Sequence, residues 1–130
     1  MTSQPAAPAL VHAEAAASAI RALNHATRPG LGWCDDGLTG PADVYDVVGA
    51  LATLAARLPQ ALTQLQAWLD TETDAGRVAV VDGEHAGDPA ALTATVGYWT
   101  DTAASAARAL THALDHAHTT LTWAARTTRS

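Results

Sequence analysis

The sequence predicts an all-α fold: an antiparallel helical bundle of three main helices, completed by dimerisation. Three observations predict it. Apolar residues recur at helical spacing over two long stretches, and proline, glycine and aspartate punctuate the chain where those stretches begin and end. Only one short run, "VAVV", has strand character, and no second run is present to pair with it. The predicted helices cover residues 8–27, 41–75 and 89–126 of a single domain over 1–130, with 1–7 and 127–130 expected to be disordered.

The first helix, residues 8–27, is alanine-rich, with Leu10, Val11, Ile20 and Leu23 as its large apolar residues. Alanine has the highest helix propensity. "TRPG" stops the helix, because proline cannot continue it and glycine frees the backbone. His25 falls in the last turn, where a cationic imidazole complements the helix dipole. The following stretch, "GLGWCDDGLTGP", holds Trp33 and the lone Cys34 beside Asp35 and Asp36. A cysteine nucleophile needs a base within reach and electropositive surroundings. Two carboxylates act in the opposite sense, so the stretch reads as a turn, with Trp33 lidding one end of the bundle.

The second helix starts at "GPADVYD", with Pro41 in the first turn and Asp43 and Asp46 facing its positive end. Val44, Leu51, Leu58 and Leu65 recur every seven residues, beside the row Val47, Leu54, Ala61 and Trp68. Val48, Ala55, Leu62 and Leu69 widen this stripe, which is expected to be the buried face of a bundle helix. The register survives Pro59, so a kinked but continuous helix is expected, two shorter helices broken at Leu58 being the alternative. On the outer side of this helix Ala42, Gly49 and Ala56, again seven apart and with Ala52 nearby, make a small-residue row on which a second backbone could approach closely, a solvent-facing row being the alternative.

Residues 77–88 interrupt the helical pattern and are expected to form an extended, partly buried connection. The third helix opens with Asp88 as N-cap and Pro89 at its first position. Its apolar rows are Val96, Ala103, Leu110, Ala117 and Ala124, and Leu92, Trp99, Ala106 and Ala113, with Leu114 and Leu121 beside them. Two long helices and one shorter helix leave apolar surface uncovered. The stripe from Val44, Val47, Leu51, Leu54, Leu58, Leu62, Leu65, Trp68 and Leu69 to Val96, Trp99, Leu110, Leu114 and Leu121 is therefore the expected core and interface.

Composition excludes several classes. The net charge is -6 and the seven arginines form no basic stripe, which disfavours nucleic acid and anionic membranes as partners. No run approaches the roughly 20 apolar residues of a membrane span, the start lacks the pattern of a signal peptide, and one cysteine cannot bridge internally. A cytoplasmic protein is expected. Phosphate-binding glycine patterns and serine-nucleophile elbows are absent, so no enzyme is indicated.

"THALDHAH" is the best metal candidate. His112 and His116 are one helical turn apart and Asp115 flanks them, whereas a third imidazole, His118, points elsewhere. Asp82, Glu84 and Asp88 share the acidity of a calcium loop without its alternation of ligands or its closing glutamate.

"ALNHATRPG", "GPADVYDVVGAL" and "LAARLPQALTQLQAWL" together resemble an uncharacterised family of small, alanine-rich helical proteins of actinobacteria, over roughly residues 20–70. That resemblance implies the helical fold and carries no activity onto any residue. Small acidic hairpins exported by type VII secretion are similar in size and alanine content. Their Trp-x-Gly turn is not matched, since Trp33 is followed by Cys34 and Asp35.

The function expected is that of a non-enzymatic, homodimeric protein-interaction module without a cofactor. The alternatives are a zinc-type metal site at His112, Asp115 and His116, and a small-ligand sensor with a pocket between Trp68 and Trp99.

Overall fold

Three helices follow one another along the chain: α1 (Pro8–Ala26), α2 (Pro41–Asp74) and α3 (Pro89–Thr127). The structure is a computed structural model and describes residues 5–28 and 37–127. The helices hold 19, 34 and 39 residues, or about 28, 51 and 58 Å. Among the described residues there is no strand, and no helix is long and apolar enough to cross a membrane.

Local chemistry sets the helix ends. Pro8, Pro41 and Pro89 occupy first-turn positions, where the missing N–H costs nothing. Asp88 caps α3 by accepting from the Ala91 N–H at 3.1 Å. Ahead of α2, the Thr39 N–H and hydroxyl both donate to Asp43 Oδ2 at 2.7 Å. The carboxylate thus reaches back past the N-cap, as the acidic partner of a capping box does. α2 ends in a Schellman motif: Gly76, at φ +76°, donates to the Thr73 carbonyl, and the Arg77 N–H donates to the Glu72 carbonyl. Pro59 lies inside α2, which continues through it as one helix.

α2 and α3 pack together as an antiparallel hairpin, and α1 makes no comparable approach to either. On α2, Tyr45, Val48, Ala52, Ala55, Pro59, Leu62, Gln66, Leu69 and Thr73 alternate at spacings of three and four and are all buried or half-buried. On α3, Thr93, Gly97, Thr100, Ala104, Ala107, Thr111, Leu114, His118 and Leu121 do the same. This is the spacing of a left-handed helix pair. Its centre is small: among the described residues the only buried side chains are Ala52, Ala55, Ala104, Ala107 and Thr93, and no large side chain is fully buried.

Polar pairs fix the register of the two helices. Thr93 and Thr73 share a 2.6 Å hydroxyl bond, while Gln66 donates to the Thr93 carbonyl at 3.2 Å and accepts from the Thr100 hydroxyl at 3.3 Å. At the other end of the hairpin the Tyr45 and His118 rings stack at 3.9 Å. Threonines elsewhere in the helices satisfy their hydroxyls on the carbonyl four residues back, as Thr53 does on Gly49 and Thr111 on Ala107. A threonine-rich sequence thereby stays helical.

The seam corrects the expected core. The face of α2 that meets α3 carries Val48, Ala55, Leu62 and Leu69 together with Gly49 and Ala52 of the small-residue row, whose Ala42 and Ala56 stay exposed, and the larger leucine rows lie about 100° round the helix. Leu54, Leu58, Leu65 and Trp68 are exposed, and so are Trp99 and Leu110 on α3. Val44, Val47, Leu51, Leu62, Leu69, Val96, Leu114 and Leu121 are half-buried. The reason is size: alanines and glycine permit a closer helix–helix approach than leucines do, so the small face takes the long partner. Of the connection between α2 and α3, Val78 and Val80 are half-buried while Val81 is 91% exposed.

Candidate functional site

The leucine rows of α2 meet α1 loosely. α1 runs antiparallel to α2: Ala9, Ala13 and Ala16 lie opposite Leu54, Leu58 and Leu65, and Leu23 and Thr27 lie opposite Val44, Val47 and Leu51. An open groove of about 870 Å³ separates the first set. Apart from His12, α1 offers only the methyl groups of Ala9, Ala13 and Ala16 there, which are too short to fill the space before the leucines. Its polar contributors are His12 from α1 and Thr53, Arg57 and Gln64 from α2, with no carboxylate among the described residues that line it. The ion pair among the described residues, Arg77 with Glu72, stands elsewhere and leaves Arg57 outside any salt bridge. A smaller cavity of about 270 Å³ continues along α1 toward Leu51, lined also by Leu38.

The predicted metal residues come together only in part. His112 and His116 meet, with their Nε2 atoms 3.2 Å apart and their rings edge to face. Both are exposed, and Asp115 turns away to line a cavity of about 300 Å³ with Gly49, Ala52 and His118. Among the described residues no group of three histidine, cysteine, aspartate or glutamate side chains could hold a metal ion. The acidic loop serves its own backbone, Asp82 accepting from Gly83 N–H at 2.7 Å and Asp88 capping α3.

His118 is the residue that sequence reasoning placed least well. It packs between the helices, stacked on Tyr45, and a Cβ built at Gly49 would lie 2.9 Å from its Nε2. Gly49 therefore clears a slot for an imidazole. The seven-residue recurrence of Ala42, Gly49 and Ala56 was the available signal that a neighbour comes close on this side.

Trp68 and Trp99 are 65% and 61% exposed, which corrects their expected place in the core. Neither lines the groove or the two smaller cavities. Trp99 pairs edge to face with Tyr98 at 4.8 Å, leaving both rings at the surface. Trp33, Cys34, Asp35 and Asp36 lie outside the described residues.

Compared with protein families, with curated proteins and with solved structures, the chain matches none.

Proposed function

We propose that the protein is a non-enzymatic helical interaction module that works as a homodimer. One observation carries this reading: among the described residues the core holds four alanines and a threonine and no fully buried large side chain, while Leu54, Leu58, Leu65, Trp68, Trp99 and Leu110 stand exposed. Apolar burial supplies about 25 cal/mol per Å², and a methyl-sized core supplies little of it. Exposed apolar surface of this extent marks an interaction site. On both helices of the hairpin the large residues precede the seam by a similar angle. For an antiparallel pair, that places Trp68, Trp99 and Leu110 on the same side. A second hairpin laid on that side buries these three residues and completes a four-helix core.

Light scattering of the purified chain tests the reading. A mass of twice 13.3 kDa is expected, falling toward one chain in a Trp68→Ala, Trp99→Ala double variant. A monomer at every concentration refutes it.

A second reading, a divalent-metal module, is favoured by the 3.2 Å separation of the two imidazole Nε2 atoms. Two nitrogens so spaced, each about 2.1 Å from an ion, subtend about 100° at it. Two ligands leave the coordination sphere open, so a partner would complete it. Zinc should raise the melting temperature of the intact protein and not of His116→Ala; equal shifts in both would dismiss the site.

A further inference from the structure

The geometry points to the α1–α2 groove as a binding site for a free long-chain carboxylate, an apolar tail carrying one anionic head. The cavity has the size of a small-molecule site, about 870 Å³ against the roughly 300–1,000 Å³ typical of such pockets. Its length is set by Leu54, Leu58 and Leu65, which follow one side of α2 over three turns, and by Ala9, Ala13 and Ala16 on the facing helix. A flexible chain fills a narrow slot between a leucine row and an alanine row, where a planar ring system would not lie flat.

Charge decides the head group. The protein carries 13 acidic and 7 basic side chains and a net charge of -6, yet the described residues that line the groove include Arg57 and His12 and no acid. Arg57 has no carboxylate one turn away on α2, whose neighbouring positions are Thr53, Leu54, Gln60 and Ala61. A guanidinium that lines an apolar groove and has no ion-pair partner among the described residues matches a carboxylate, to which it can donate two parallel bonds. Gln64, two turns further along the same side of α2, adds an amide donor. The same net charge opposes adsorption to an anionic bilayer, so the ligand is the free acid.

This site is separate from the proposed dimer face. It takes Leu54, Leu58 and Leu65 from the α1 side and leaves Trp68, Trp99 and Leu110 for the partner.

Titration calorimetry of the full chain with decanoate, laurate and myristate, below their micelle concentrations, tests the site. Saturable binding of one ligand per chain is expected, tightening by up to fourfold per added methylene. Methyl myristate and the Arg57→Gln variant should each lose about tenfold in affinity. Ala13→Leu, which fills the slot, should abolish binding and raise the melting temperature. Absence of saturable heat, affinity that ignores chain length, equal binding of acid and ester, or binding to anionic vesicles alone would overturn the proposal. Mass in solution reports on dimerisation alone, so the two ideas fail independently.

Discussion

Gly49 and His118 depend on one another. An alanine at 49 gains helix propensity worth about 1 kcal/mol, but its methyl displaces the imidazole from its stack on Tyr45, a contact worth about 0.5–1.5 kcal/mol. Gly49→Ala is therefore expected to be close to neutral in the native chain and to stabilise by about 1 kcal/mol when His118→Ala is already present. Urea unfolding of the four proteins in the cycle measures the difference, and equal gains in both backgrounds would refute the coupling. Asp43 carries a second residue-scale prediction. The Thr39 hydroxyl, and after it the Thr39 N–H, hold its carboxyl below the usual carboxylate range. A depressed native value contributes stability above the unfolded-state value, and this is lost as pH falls through the native one. Thr39→Ala should raise the Asp43 midpoint in an NMR titration; an unmoved midpoint would show that the hydroxyl contributes nothing. Asp88 and Pro41 were legible in the sequence because a helix start is set by residues within one turn of it. His118 was not, because its slot is made by a glycine 69 positions earlier on another helix.

At the scale of elements, periodicity located all three helices to within a residue or so of their ends, because caps, prolines and apolar spacing agree there. What it could not rank was the two faces of α2. A leucine row and an alanine row each look like an interface, and hydrophobicity alone favours the leucines. Backbone approach favours small residues, and α3 packed on the edge of the stripe, at Val48, Ala55, Leu62 and Leu69 beside Gly49 and Ala52, while Ala42 and Ala56 stayed exposed. The consequence is testable as a pair. Ala55 is fully buried between α2 and α3, so Ala55→Leu must push the helices apart at about 1–3 kcal/mol. Leu58 is 39% exposed, so Leu58→Ala should cost the monomer well under the roughly 2–5 kcal/mol of a buried leucine. Denaturant midpoints should rank the two in that order; the reverse would mean that the leucine row, not the alanine seam, holds the hairpin. Thr93, the buried hydroxyl of the seam, separates polar from apolar contributions: Thr93→Val keeps the shape, removes the bond to Thr73 and should cost about 1 kcal/mol.

For the whole molecule, surface area sets the terms. The chain exposes 9789 Å², whereas a compact monomer of 13.3 kDa exposes about 6,500 Å². Rod-like helices account for part of the difference, and the uncovered leucines and tryptophans contribute to the rest. A protein so built has little stability to spare as a single chain, because its core is methyl-sized and its first helix stands off across a groove. Stability should then depend on whatever covers the exposed side. Mass action makes the melting temperature of a dimer rise with protein concentration, and that of a monomer indifferent to it. The dependence should be strong in the native chain and absent in the Trp68→Ala, Trp99→Ala variant. Amide exchange divides the molecule further: α1, lacking close packing, should exchange through local opening, while the centre of α3 near Ala104 and Ala107 should exchange only through global unfolding. Filling the groove with Ala13→Leu should slow exchange in α1 and leave the seam unchanged. If α1 exchanges as slowly as α3 in dilute native protein, the groove is closed in solution and α1 is as firmly held as the hairpin it covers.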